Sequence, residues 1–309
     1  MPSAAQRSLL RMRLEWLEDI LAIMEHGSLQ KASEHRFLTQ SAFSRRIALI
    51  EDYLRAPILD RSTKPAQLRP AVLLAKDRIQ QLSLSLRALT SELRYQPADA
   101  SKPVVLVSQH SITTSHGHIL INQLSPGQHE QITLRSENWD ACFKLLMSKE
   151  ADIAVTYGTA TIAPLVDSSL LEQHVIGLDR LVPVFGTAHR QQLDQALAAG
   201  QLPIIAYPQD VFMGTLMHRD ILPRLDNLDG VRHRTETALT IAALHMAAAG
   251  LGVAWVPHTL ARRPIEEGQL TELSDQLPSA AMQLIARRLK GPATEQAQHI
   301  WQVLTSSGL

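Results

Sequence analysis

Apolar positions recur every three or four residues early in the chain. Leu14, Leu17, Leu21 and Met24 form one helical stripe, which stops at Gly27, a residue that readily ends helices. Ser28 can cap a short second helix running through "LQKASEH" to about Arg36. A brief turn at Phe37 and Leu38 leads to Thr39, another cap, and to a third helix in which Phe43, Ile47 and Ile50 share one face. The other face carries Gln40, Ser41, Ser44 and Arg45, for which the local pattern supplies no partner. Two short helices joined by a tight turn predict a helix-turn-helix whose second helix lies in a DNA major groove. Thr39, Gln40, Ser41, Ser44, Arg45 and Arg46 are the candidate contacts. Glutamine pairs with adenine N6 and N7, arginine with guanine or phosphate, and the hydroxyls with bases or backbone.

The pattern then shortens. "YLRAPILDRSTKPAQLRP" gives a short apolar strand, a turn bearing Arg61 and Lys64, and a return at Gln67 and Leu68, the outline of a β-wing. A basic wing tip suits a narrow minor groove; the plainer reading is solvated charge. From Pro70 a long helix begins, with Val72, Ala75, Ile79, Leu82, Leu86, Leu89 and Leu93 at alternating spacings of three and four. Such a heptad seam predicts pairing with a second copy through Ile79, Leu82, Leu86, Leu89 and Leu93. The alternative is packing against its own chain.

Near "YQPADASKP" small polar residues and proline mark a hinge. Beyond it "PVVLVS", "QITLRS", "ADIAVTY", "DRLVPVFG", "LPIIAY", "VRHRTE" and "GVAWVP" alternate with helix-length segments, which predicts parallel strands in βαβ units. The fold class is α/β, with a winged helix-turn-helix over 1–67, a linker helix over 68–95, a hinge over 96–102 and an effector domain over 103–309. Its first lobe is expected at about 103–177 and 282–309, its second at about 178–281.

Composition changes this picture in two places. The chain of 309 residues has no net charge, yet residues 1–95 hold 15 Lys and Arg against 10 Asp and Glu, leaving the acidic excess to the remainder. A basic front half suits phosphate. The single cysteine, Cys142, excludes an internal disulfide and fits a reducing compartment, and neither a signal-peptide core nor a membrane span is evident, so a cytoplasmic location is expected. There is no P-loop, G-x-G-x-x-G after a strand, G-x-S-x-G or H-E-x-x-H, so neither an enzyme nor a cofactor is expected. His110, His116, His118 and His129 lack metal-ligand spacing, and no metal is expected.

In a two-lobed α/β domain ligands bind at the C-terminal ends of strands, near helix N-termini. That places candidate effector contacts at His110, Ser111 and Thr113, at Ser136 and Trp139, at Met213 and Gly214 within "FMGT", and at Thr237. Simple helix capping is the competing role for each. Cys142 inside "WDACFKLLM" reads as packing, while oxidation of Met213 would make a flexible apolar side chain polar.

The order of parts resembles the LysR-type transcriptional regulators across essentially the whole chain. "GSLQKASEHRFLTQSAFSRRIALIE" carries the signature through Ala32, Gln40, Ser44, Arg45, Ile47 and Glu51, and "GLGVAWVP" resembles the late effector-domain motif. The resemblance implies a cytoplasmic regulator of promoter DNA, a homodimer or homotetramer whose periplasmic-binding-protein-like effector domain takes a small molecule between its lobes. Arg55 and Val72 stand where glycine is usual, and Arg69 where threonine is. Arg36 stands where an apolar residue is usual, with Phe37 expected to take over its packing. Within the family, "RSTKPAQL", "HSIT", "YPQDVFMGTL" and "GVAWVPHTLARRPIEEGQL" are similar to the hypochlorite-responsive regulators, which adds an oxidative signal to the possible effectors. Two rival readings are an α/β enzyme or solute-binding protein with a helical extension, and a repressor whose second domain only assembles the oligomer.

Overall fold

The computed structural model describes residues 12–62, 66–93, 103–125, 131–160, 162, 166, 168–225 and 230–307. The chain divides into two compact units, changing from one to the other between residues 95 and 96.

The first unit begins with α1 (Leu14–His26), closed by Gly27 at φ +68°, whose N–H reaches the Ile23 carbonyl. Its buried face is Trp16, Leu17, Ile20 and Ile23; of the predicted stripe Leu17 is buried, while Leu14, Leu21 and Met24 are only half-buried. The stripe is rotated because the indole of Trp16 offers the largest apolar surface to bury. Ser28 caps α2 (Leu29–His35) by accepting from the Lys31 N–H, and Thr39 caps α3 (Gln40–Leu54) by accepting from the Ala42 N–H. Phe43, Ile47 and Ile50 are fully buried against Trp16, Ile20 and Ala32.

The wing pairs β1 (Leu59–Asp60) with β2 (Gln67–Leu68), Leu59 opposite Leu68. The linker is α4 (Pro70–Leu74) and α5 (Lys76–Leu93), separated by a turn at Ala75. Pro70 takes the first helical position, and Arg69 before it makes no side-chain cap. The heptad stripe divides in two. Val72 and Ile79 pack on the unit's own core, and the off-stripe Leu84 is buried. Leu82, Leu86 and Leu89 remain 50%, 41% and 49% exposed. The side chain of Leu93 lies outside the described residues.

The second unit holds one mixed sheet. Its first elements are β3 (Val104–Gln109), α6 (His110–Leu124), β4 (Ile132–Glu137), α7 (Trp139–Met147), β5 (Ile153–Gly158) and β6 (Leu171–Gly186). Then come α8 (Arg190–Ala198), β7 (Leu202–Ala206), α9 (Phe212–Leu216), β8 (Val231–Glu236), α10 (Thr240–Ala248), β9 (Val253–Pro257) and α11 (His258–Glu266). The chain closes with β10 (Leu270–Glu272), β11 (Ala280–Leu289) and α12 (Glu295–Ser307). The strand order is β4-β3-β5-β11-β6-β9-β7-β8, with β10 on β6.

β3 lies parallel to β4 and β5, and β7 parallel to β8 and β9, the two predicted βαβ cores. "DRLVPVFG" departs from prediction. It is the second half of the 16-residue β6, antiparallel to β9, β10 and β11. β6 and β11 thus run as a pair from one lobe to the other, and a register shift beside Leu284 and Ile285 leaves Ile176 as a bulge.

Candidate nucleic-acid interface and effector cleft

On α3, Gln40, Ser41, Ser44 and Arg45 are exposed. Among the described residues Gln40, Ser44 and Arg45 have no side-chain hydrogen bond or ion pair, and Ser41 shares one with Thr39 at 3.2 Å. The helix is oriented from beneath by its apolar residues and by a charge cluster absent from the sequence reading. Asp19, with no exposed surface, meets Arg36 at 2.9 Å and Arg46 at 2.5 Å. The Arg46 contact lacks the angle of a hydrogen bond, so it is an ion pair only. Glu18 meets Arg36 at 2.8 Å and Arg87 from α5.

Arg46 pairs with Asp19 beneath the helix. One expectation is corrected. Phe37 does not take over packing from Arg36: it is 96% exposed at φ +54°, while Arg36 stays half-buried and pairs with two acids. A signal was available, since Asp19 falls within the apolar phase of "LEWLEDILAI", where a carboxylate needs a cation.

On the wing, Arg61 donates to Glu51 at 2.7 Å. Burial raises the Glu51 carboxyl, but the Arg61 bond and the Ile58 and Leu59 N–H groups outweigh it and hold it below the usual range. Lys64 lies outside the described residues.

In the second unit the strand ends bring some candidates together. His110 Nδ1, at the start of α6, and Ser136 Oγ, near the end of the neighbouring β4, share a hydrogen bond of 2.8 Å. Trp139 donates its indole N–H to the Tyr157 carbonyl at 2.9 Å and stacks on Phe212 of α9, ring centroids 5.7 Å apart. The Tyr157 hydroxyl donates to Asp179 at 2.8 Å; burial and that carboxylate raise it well above its usual range. Asp179 also accepts the N–H of Thr259 in α11. These contacts span both lobes.

Other candidates make contacts within the unit. Ser111 is buried, and Thr113 bonds Ser108 at 2.6 Å. Gly214 permits contact with the Pro208 carbonyl, since a Cβ would lie 1.8 Å from that oxygen. Met213 is buried, and the Thr237 hydroxyl accepts the Leu239 N–H at 3.2 Å. Cys142 is fully buried, which pushes its thiol up to about 12 and leaves it unreactive at neutral pH.

Two features were missed from sequence. Arg287 is buried with Thr156 and Gln173 as hydrogen-bond partners and lies over the Phe143 ring at 5.4 Å. Burial brings it down to about 10, so it stays cationic at neutral pH. An open pocket of about 600 Å³ lies beside the crossing strands, between Leu178, Arg224, Met282 and Gln283, and none of the predicted effector residues lines it.

Two family models match: "Bacterial regulatory helix-turn-helix protein, lysR family" over residues 14–71 and "LysR substrate binding domain" over residues 127–308. The chain belongs to the LysR family. It is a DNA-binding transcriptional regulator with an effector-binding domain, and LysR-type regulators bind promoter DNA, take small-molecule effectors and oligomerise. The HTH-type transcriptional regulator YjiE of Escherichia coli (strain K12) is 23% identical over 299 residues, covering 94% of this chain and 93% of that protein. Full-length HypT from Salmonella typhimurium, a hypochlorite-specific LysR-type regulator, aligns with a TM-score of 0.56 at 21% identity, over 96% of this chain and 98% of that one. DarR from Vibrio fischeri, solved with DNA, aligns with a TM-score of 0.54 at 20% identity, over 96% of this chain and 99% of that one. No helix among the described residues is long and apolar enough to cross a membrane.

Proposed function

We propose that this LysR-type regulator reads its operator through the outer face of α3, with Gln40 and Arg45 on base edges and Thr39, Ser41 and Ser44 on bases or phosphates. Arg61 and Lys64 of the wing add backbone attraction. The observation that carries this reading is an exposed polar face, Gln40, Ser44 and Arg45, with no partner in its own chain, on a helix locked from beneath. The chain acts in the cytoplasm by binding, without catalysis. It pairs with a second copy through Leu82, Leu86 and Leu89, whose exposed stripe would otherwise stay in water.

The effector reading rests on His110, Ser136 and Trp139 at the strand ends, across from Phe212. The buried charge of Arg287 favours an anionic effector.

The test is a gel shift on DNA upstream of the protein's own coding region, at two salt concentrations, with random competitor. Competition-resistant binding supports the reading; no binding at low salt overturns it. Leu82→Asp with Leu89→Asp is expected to give monomers, and an unchanged sedimentation profile would remove the seam.

A second reading assigns the chain to the hypochlorite-responsive branch. The observation in its favour is Met213, buried directly beside Phe212, where a sulfoxide would disturb the Phe212–Trp139 stack. Hypochlorite treatment should then change operator affinity in the parent and leave Met213→Leu unmoved; an equal response in both excludes Met213 as the sensor.

A further inference from the structure

The last residues of α1 and α2, His26 and His35, bring their rings to a centroid separation of 4.5 Å with a 47° tilt. Glu25 lies beside them, and one ligand-capable atom from each of the three side chains is within 4.8 Å of the other two. Among the described residues His26 Nε2 is buried without a hydrogen-bond partner. An imidazole nitrogen cut off from water and left unpaired is unfavourable unless something binds it. None of these residues takes part in the polar face of α3 or in the effector cleft.

We propose that Glu25, His26 and His35 form a site for a divalent transition-metal ion of the zinc type, which clasps the C-terminal ends of α1 and α2. Two imidazoles and one carboxylate suit zinc, nickel or copper, whereas magnesium and calcium take oxygen shells. Tetrahedral coordination at about 2.0–2.1 Å sets donor atoms roughly 3.4 Å apart, so loading would draw in any pair that rests farther apart than that. Glu25 and His35 are exposed and free to make that movement, while His26 is held between them and the core. Water completes the shell. The ion sits just ahead of Arg36 to Thr39, the turn that feeds α3.

The test uses the full chain without an affinity tag, stripped by chelator and titrated with zinc chloride, with magnesium chloride in parallel. One zinc equivalent per chain that raises the melting temperature, with no response to magnesium, is expected. His35→Ala and Glu25→Gln alter exposed side chains and should each weaken that equivalent at least tenfold and remove the melting shift. His118→Ala, in the second unit, should keep both. A parent chain without a zinc equivalent, or His35→Ala binding the same number with the same affinity, overturns the proposal. Neither readout involves DNA, so the outcome is independent of operator binding.

Discussion

The outer face of α3 and the cleft of the second unit were both expected to meet ligands, yet they hold their polar groups differently. On α3, Gln40, Ser44 and Arg45 point out with no partner among the described residues, and the order lies underneath, where Asp19 and Glu18 gather three arginines. In the cleft the candidates satisfy one another: His110 with Ser136, Thr113 with Ser108, Trp139 with Tyr157, Tyr157 with Asp179. A surface that meets DNA in water can leave donors to the solvent until phosphate and bases replace it. A cleft that closes around a small molecule cannot leave buried groups unpaired, so a ligand there must exchange bonds already made.

The sharpest way to break that contrast is to remove the support under α3. Asp19→Ala leaves Arg46 without its near acid partner and Arg36 with Glu18 alone, and is expected to cost about 2–3 kcal/mol, read as a lower denaturant midpoint at pH 7. Ser136→Ala removes one exposed hydrogen bond in the cleft and should cost about 1 kcal/mol or less. Equal losses would show that the acid cluster is surface decoration.

Operator affinity separates the regions next. Arg45→Ala should weaken operator binding by about 1–3 kcal/mol, and Gln40→Ala should reduce discrimination while retaining most non-specific binding. His110→Ala and Ser136→Ala should leave ligand-free operator affinity in place and act on the effector response alone. Loss of operator binding in His110→Ala would erase the division of labour between the two units.

A smaller effect tests the frame of the DNA-binding unit. Arg55 closes α3 at φ +52°, the left-handed conformation that explains why glycine is usual at this position. An L-residue there is strained by about 1–2 kcal/mol, while glycine adds about 0.4–1 kcal/mol of unfolded-state entropy. Arg55→Gly is therefore expected to stabilise by about 0.5–1 kcal/mol; a loss would mean that the Arg55 side chain contributes something its contacts do not show.

What could be read from sequence follows the same divide. The helix-turn-helix was legible because each of its signals is local: Ser28 and Thr39 as caps, Gly27 as a stop, and Phe43, Ile47 and Ile50 at helical spacing. Of the acid cluster only Asp19 left a local mark, as a carboxylate in an apolar phase; its partners did not, since Glu18 and Arg87 are 69 residues apart and only the fold brings them together. The long β6 escaped notice because "LEQHVIGL" exposes most of its length and lacks the apolar run of a buried strand. Phe212 lay within a quoted stretch, but its stack on Trp139 depends on two lobes meeting.

The weakest effect reaches the least legible residue. Burial lowers His116, followed by a raising influence from Asp179 and lowering ones from Arg262 and His118. Its folded form therefore stays neutral at a pH where the unfolded chain has begun to take up a proton near 6.5. With the unfolded state binding more protons, stability must fall as pH drops below that value, and the contribution is absent above it. Urea melts between pH 7.5 and 5.5 should show that decline in the parent and a flatter profile in His116→Gln. Parallel profiles would mean that another group carries the acid sensitivity of the cleft. A decline confined to the parent would show that burial keeps the His116 imidazole neutral in the second unit, where α3 keeps its polar groups in water.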